Sequence, residues 1–473
     1  MKPSVPISTK EKRTTLFVMT LTSFMGPFMV SSVNIALPDI QKEFSVHAVL
    51  LSWIATSYLL AIAAALVPAG RIADIHGRRR LFVTGLGILT LASACAATSF
   101  SVEMLIATRV LQGFGAAMVV TTGMPILISV FPLEERGRVI GTYVAAVYIG
   151  LSVGPPVGGL LTDLLNWRWI FIVVIPLNLT ALYLTRRHLK REWVDAPGEK
   201  LDWVGSILYA LSLVLIVYGA SRLPQMQALV MVATGAFGLL AFGLWELRVP
   251  NPVFEIRLFF SNRVFAFSSL AALIHYGATF AVTFLLSLYL QYIQGLPPRN
   301  AGMVLMIQPV IMALISPLAG RLSDRLEPRW IATAGMTLTA AGLGILAFAI
   351  DTGPSLVLIV GLLGLLGLGF ALFSSPNMNA IMSSIDKRYY GIASGAVATM
   401  RLLGQMASMA VATVLFAICI GPTEIRPQVY PAFIRSIEIC LAVFTVLCLL
   451  GIIFSAYRGR LRPHRGPAAG PGR

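Results

Sequence analysis

Apolar residues run along this chain in blocks, and polar residues collect in the short stretches between them. A helix needs about 20 mostly apolar residues to cross the hydrocarbon core of a bilayer. Fourteen blocks approach or exceed that length: 16–38, 49–69, 81–99, 104–131, 139–161, 169–184, 201–220, 226–247, 264–293, 301–320, 331–350, 355–376, 391–420 and 432–457. The fourth and thirteenth are long enough to tilt or to extend past the bilayer. The pattern predicts an all-α integral membrane protein. Six spans come first, then a basic loop over 185–200, two further spans, and six more.

Composition supports this reading. Charged residues make up 12% of the chain and hydrophobic ones 57%, whereas a soluble domain carries roughly 25% charge. A net charge of +16 would suit nucleic acid, but the basic residues sit in short loops between apolar blocks, so no nucleic-acid partner is expected. With the N-terminus inside, the inner segments hold 28 of the 36 Lys and Arg and the outer segments six, with Arg109 and Arg401 left inside spans. That bias places both termini in the cytoplasm of a multi-pass protein of the cell (inner) membrane. The expected organisation is a cytoplasmic N-tail (1–13), a six-helix bundle (14–184), a linker with two extra helices (185–262), a second six-helix bundle (263–457) and a basic C-tail (458–473). Cys95, Cys419, Cys440 and Cys448 lie in apolar blocks without ligand or disulfide spacing and read as packing residues. No cleavage pattern follows the first block, which is expected to stay as a helix. No metal cluster, nucleophile triad or phosphate loop is evident, so neither an enzyme nor a cofactor is expected.

One polar stretch stands out. GRIADIHGRRR, Gly70 to Arg80, separates the second and third blocks, and GRLSDRLEPR, Gly320 to Arg329, recurs 250 residues later. Both open Gly-Arg-aliphatic-small-Asp, ending at Asp74 and Asp324. Gly113, Gly115, Gly141 and Gly150 recur 254 residues on as Gly367, Gly369, Gly395 and Gly404. Together these point to a parallel duplication of six-helix halves, a plan that places a substrate site at the interface near mid-membrane.

Charge inside a membrane needs a reason. Arg109 precedes Gln112 and the small residues Gly113, Gly115, Ala116 and Ala117, which fits either a clamp between helices or a coupling role. Ser394, Arg401, Gln405 and Ser408 share one helix face. His275, Thr279, Thr283, Ser287 and Gln291 form a slowly winding stripe in the ninth block. Such stripes are expected to face a wet cavity, and His275 is the most readily titrated group within the spans, unless it only makes an interhelical hydrogen bond. Asn34, flanked by Pro27 and Pro38, and Tyr58, Gln308, Asn377 and Asn379 are further cavity candidates. Gly150, Gly154 and Gly158 present a flat face for close helix contact, and Pro155–Pro156 bends the same helix beside Gly159.

These residues resemble the major facilitator superfamily, and within it the 14-helix drug:proton antiporter branch. GRIADIHGRRR is similar to the signature between its second and third helices, RVLQGFGAA (Arg109 to Ala117) to that of its fourth, and GLSVGPPVGG (Gly150 to Gly159) to that of its fifth in antiporters. WIATSYLL (Trp53 to Leu60) and NWRWIF (Asn166 to Phe171) are also similar to segments of this branch. The resemblance implies export of amphiphilic compounds by alternating access, driven by protons. It implies a latch built from Gly70, Asp74, Gly77 and Arg78, with Gly320 and Asp324 as a weaker copy, in which Asp74 faces the start of the thirteenth helix. One position departs from the branch: Met29 stands in FMVSSVNIALP where an acid is usual. Asp39 and His275 are the remaining proton-coupling candidates. With no acid well inside a span and both embedded charges positive, the balance leans towards neutral or anionic amphiphiles. A facilitator or exchanger of neutral or organic-anion solutes without proton coupling stays open. So does a non-transporting membrane receptor, although a receptor would be expected to add a soluble sensor domain.

Overall fold

A computed structural model describes residues 8–350, 354–385 and 390–459. The chain is helical: α1 (Thr9–Phe44), α2 (Ala48–His76), α3 (Arg78–Ala97), α4 (Val102–Val130), α5 (Leu133–Leu164), α6 (Arg168–His188), α7 (Trp203–Ala220), α8 (Met226–Glu246), α9 (Arg257–Ser261), α10 (Arg263–Tyr292), α11 (Pro298–Leu305), α12 (Ile307–Arg325), α13 (Pro328–Ala349), α14 (Leu356–Ser383), α15 (Tyr390–Cys419) and α16 (Tyr430–Tyr457). Among the described residues, 14 spans are long and apolar enough to cross a membrane, α11 and α12 together making the tenth. The expected number of spans is met, but the ends move. Helix α1 begins well before the apolar block because Ser8 accepts from the Glu11 amide at 3.1 Å and so caps the charged first turn. It ends at Ser45, whose φ of 51° breaks the helix.

The first and last six spans repeat one packing scheme. Helix α1 packs on α5 and α6, α2 on α4, and α3 on α4 and α6; correspondingly α10 packs on α15 and α16, α12 on α14, and α13 on α14 and α16. The repeated glycines explain why the scheme repeats. A Cβ on Gly113 would stand 2.7 Å from the Tyr58 carbonyl oxygen, and one on Gly367 would stand 2.6 Å from that of Gln308. Gly115 and Gly85 meet backbone to backbone, as do Gly369 and Gly335. Gly150 lies against the Phe24 carbonyl of α1 and Gly404 against the Leu273 carbonyl of α10. Small residues thus set how closely helix backbones approach in both sets.

The two sets meet across a pseudo-two-fold arrangement in which α1 faces α10, α2 faces α15, and α5 faces α11 and α12. Helices α7 and α8 pack together, and α7 lies on both α2 and α15 at one edge of this interface. Tyr209, Leu213, Val217 and Phe242 form one apolar cluster with Leu60, Ala63 and Val67 of α2 and Met406 of α15. The Tyr209 hydroxyl donates to the Ala63 carbonyl at 3.1 Å.

Candidate transport site

Alternating access requires an interface that can open on one side at a time. Here the polar links between the two sets gather at the outer ends of the helices. Ser287 donates to the Asn34 carbonyl at 2.8 Å, Gln291 to the Ile35 carbonyl at 3.0 Å, and Tyr292 to Gln41. Thr413 meets Ser52 at 2.9 Å and Thr56 at 3.3 Å, and the Ala48 amide donates to the Thr423 carbonyl at 3.0 Å. Gly159 abuts Pro298, and Gly302 abuts Pro155, so α5 and α11 touch backbone to backbone. The orientation expected from the basic loops puts these links on the external side. A Cβ at Gly26 of α1, Gly141 of α5 or Gly395 of α15 would meet no atom within 4 Å.

The glycine helix serves two partners at once. Gly150, Gly154 and Gly158 lie against α1, where Ser32 donates to the Gly154 carbonyl at 2.9 Å. Gly159 and Pro155 face α11 instead. One helix is therefore tied to its own set and lies against the other.

Arg109 is 1% exposed. Its Nε donates to the Ile54 carbonyl at 3.2 Å and its guanidinium to Gln112 at 2.8 Å, while Gln112 donates to Ser93 at 3.0 Å. The guanidinium also lies over the Tyr58 ring at 4.1 Å. Arg109, Gln112 and Tyr58 thus come together as a knot of α2, α3 and α4, and Gly113 lets α2 approach it.

The first cytoplasmic hairpin is held by the linker that follows α6. Gly77 turns with a φ of 114°, in the left-handed region that favours glycine, and the Glu192 carboxylate occupies the space a side chain would need. Glu192 accepts from the Arg79 and Arg80 amides at 2.7 and 3.2 Å, capping α3 with a negative charge at its positive end. Arg78 reaches both Asp74, at 3.0 Å, and Asp195. The Asp74 carbonyl accepts from the amides of Asp195 and Ala196, and Arg71 pairs with Glu199. Gly70 sits in ordinary contact with Thr121. The expected approach of Asp74 to the start of the thirteenth helix falls on residues whose side chains lie outside the described ones.

The second hairpin is tied differently. Asn379 donates to Asp324 at 3.2 Å and to Ser323 at 2.9 Å, and Gly320 lies against Ser375. Beside it, Arg458 is 1% exposed. It donates to Asn377 at 2.8 Å, to Ser268 at 3.3 Å and to the Pro328 carbonyl at 3.1 Å. Burial draws its pKa down to about 10, so it remains a cation at neutral pH.

The candidate cavity residues divide by burial. Asn34, Tyr58, His275, Thr279, Gln308 and Asn377 are buried in helix contacts, whereas Arg401 and Gln405 are half-buried. His275 packs among Phe373, Phe370 and Tyr276, with ring centroids 4.1, 5.0 and 6.4 Å away. Both of its ring nitrogens are buried without a hydrogen-bond partner, and Thr279 donates to its carbonyl. Asp39 is half-buried at the outer end of α1, with Lys42 at 3.8 Å.

Several residues that the structure ties into polar networks escape a reading of the sequence. Glu192, Asp195 and Glu199 lie in a loop that reads as basic, yet their alternation with Arg and Lys hints at pairing. Arg458 looks like the first residue of a basic tail, and nothing local marks it as buried. Glu43, at the end of α1, accepts from Arg168 at 2.6 and 2.8 Å and from Trp167 at 2.7 Å. It explains the polar residues of NWRWIF.

A model of the Major Facilitator Superfamily matches residues 19–409. The chain belongs to that superfamily. Among superfamily relatives, it is 29% identical over 451 residues to the riboflavin transporter RibZ of Clostridioides difficile, covering 95% of this chain and 98% of the relative. It is 32% identical over 409 residues to the multidrug resistance protein Stp of Mycobacterium tuberculosis, covering 84% and 75%. A solved peptide transporter, POT, superposes with a TM-score of 0.71 at 15% identity, over 97% of this chain and 98% of that one. A bacterial homologue of the lysosomal transporter Spinster, solved inward-facing and unoccupied, gives 0.65 at 16%, over 95% and 97%. At these identities the structural likeness is one of superfamily fold. The chain is a membrane transporter.

Proposed function

We propose that this protein exports amphiphilic small molecules by alternating access, coupled to protons, and that the structure is its inward-facing state. The observation that carries this reading is the outer seal: polar links between the two sets gather at one side of the bilayer. Its bonds are single hydroxyl and amide contacts, each contributing about 0.5–1.5 kcal/mol net. Such a seal closes firmly as a group and separates without breaking a strong ion pair. In this reading residues 14–184 and 263–457 are the two moving bodies, joined by 185–262. The relatives named for multidrug resistance and for riboflavin transport support a small-molecule cargo.

Between the two titratable candidates, geometry favours Asp39. It stands beside the outer seal, where opening would change its access to water. His275 sits among aromatic rings, with no counter-charge in contact among the described residues. The Gly70–Arg80 hairpin acts as the latch: in this state its arginines are occupied by the linker carboxylates, and release would free Asp74 for the opposite set. A second reading, transport without a proton, draws on Met29, which leaves α1 without the acid usual in the branch.

The test is efflux of a fluorescent amphiphile from proteoliposomes with and without a pH gradient. Export that rises with the gradient, and loses that rise in Asp39→Asn, is expected. Equal export in both conditions would remove proton coupling, and no export across a broad compound panel would remove the exporter reading.

A further inference from the structure

We propose that Asp202 and Glu246 form a proton-binding pair at the base of the inserted helices: one proton, held on Glu246 and shared with Asp202, clasps the linker, and rising cytoplasmic pH releases it. The inference stands apart from the export reading and from Asp39, because both residues lie outside the two sets of six spans.

Asp202 caps the start of α7 and Glu246 ends α8, so the hairpin brings them to the same end. In the orientation expected from the basic loops, that end is cytoplasmic. Gly205 lets the two helices close there. A Cβ on Gly205 would stand 2.4 Å from Asp202 Oδ2 and 2.6 Å from Glu246 Oε1. The two oxygens therefore flank one point and are no further apart than those two lengths together. Glu246 is 1% exposed, its Oε2 accepts from the Phe254 amide at 2.9 Å, and its Oε1 is buried with no hydrogen-bond partner among the described residues. Asp202 is better supplied. Its Oδ1 accepts from the Gly205 amide at 2.9 Å and its Oδ2 from the Trp245 indole at 2.8 Å.

A buried carboxylate beside a second one needs a cation or a proton. The surrounding groups supply no cation. Lys200 and Arg248 lie on the flanking chain, Glu255 follows Phe254, and Arg257 donates to the Leu247 carbonyl at 3.0 Å. Among the described residues, no Lys, Arg or His forms an ion pair with Asp202 or Glu246. A proton fits the count of donors and acceptors. A protonated carboxyl offers one carbonyl and one hydroxyl: Oε2 is the carbonyl that accepts from Phe254, and Oε1 carries the hydrogen that faces Asp202. Asp202 stays ionised, because two N–H donors and the start of α7 favour its charge.

The clasp reaches beyond the hairpin. Phe254, held by Glu246, packs on Phe259 of α9 with ring centroids 5.7 Å apart, and Phe259 packs on Phe265 of α10 at 4.9 Å. One carboxyl group thus joins α7, α8 and α9 to the first turn of the second set. When the proton leaves, two negative charges face each other without a counter-ion; Glu246 and Asp202 separate, and the Phe254 contact goes with them. The folded pair binds the proton more tightly than the separated side chains of an unfolded chain, so the clasp is intact at low pH and weakens as pH rises.

The test uses purified full-length protein and two readings taken between about pH 5 and about pH 9, the range in which buried carboxyl groups titrate. Infrared spectra at neutral pH should show the carbonyl band of a protonated carboxylic acid, and Glu246→Gln should remove its intensity. Hydrogen exchange over 248–262, corrected for its intrinsic pH dependence, should rise severalfold at the alkaline end. Glu246→Gln, whose amide copies the donor and acceptor of the protonated acid, should keep exchange slow at every pH. Asp202→Asn removes the like charge and should move the loss of the infrared band down by about one pH unit or more. Band intensity unchanged in Glu246→Gln, or exchange that rises equally in variant and parent, would overturn the proposal. Should Glu246→Gln fail to fold, the Asp202→Asn titration decides alone, and an unshifted band would overturn it.

Discussion

The first and second helix sets share a skeleton and differ in their chemistry, and the comparison separates packing from function. The glycine at 113 opposes the carbonyl of residue 58, and the glycine at 367 opposes that of residue 308. A serine bridges the matching crossing in both sets, but from the other helix and with the opposite hydrogen-bond direction. In the first set Ser32 of α1 donates to the Gly154 carbonyl of α5; in the second, Ser408 of α15 accepts from the Ala281 amide of α10. Around these matched crossings the polar groups diverge. The first set carries Arg109 and Gln112 where the second has Leu363 and Leu366. The second carries Arg401 and the buried Arg458. The repeated contacts hold the helix crossings, and the unrepeated polar groups are not required by those crossings.

The largest expected effect breaks the shared part. Gly150→Leu and Gly404→Leu each drive a side chain into a neighbouring helix backbone. Both should remove well-folded protein, since overpacking alone costs about 1–3 kcal/mol and backbone cannot yield cheaply. Size-exclusion profiles and melting temperatures would check this; a tolerant Gly404→Leu beside an intolerant Gly150→Leu would break the equivalence.

A subtler exchange imports the second set's solution into the first. Arg109→Met strands Gln112 and the Ile54 carbonyl, so it should destabilise by about 1–3 kcal/mol. The double change Arg109→Leu with Gln112→Leu, as in the second set, removes both partners and should cost less. Thermal melting of the two variants decides, and greater loss in the double variant would show that the knot is more than a clamp.

Next come the hairpins. Asp74→Asn should lower turnover about tenfold, the scale of one charge-assisted bond, while leaving insertion intact. Asp324→Asn, tied within its own set through Asn379, should cost less. Initial efflux rates at matched protein amounts measure both, and the reverse order would contradict the assignment of the stronger latch to the first hairpin.

The smallest effect is expected from the linker. Glu192→Gln together with Asp195→Asn removes partly exposed contacts worth about 0–1 kcal/mol each. Stability should barely change, but the loop over 189–199 should become more open to protease. Equal cleavage rates in variant and parent would mean that the backbone contacts of Asp74 suffice to hold it.

Much of this architecture was legible in the sequence because membrane folding writes it in blocks. Apolar runs give the spans, basic loops give the orientation, and the offset glycines give the duplication. Burial of individual polar residues was harder to read. Asn377 looked like a cavity residue, but its partner Arg458 lies 81 positions away and no local pattern announces it. His275 headed a polar stripe, yet aromatic residues of α14 enclose it. The linker carboxylates are spaced for a loop draped over a hairpin, a pairing that helical periodicity does not encode. The hydroxyl seal was partly visible as a stripe in α10, and only the opposite helices reveal what it binds.

Alternation between two sides is the central claim, and a cross-link across the outer seal addresses it directly. Ser52→Cys with Thr413→Cys places two thiols where hydroxyls now stand 2.9 Å apart. Oxidation should join them in resting protein and abolish export, and reduction should restore it. Full export from quantitatively cross-linked protein would contradict the account.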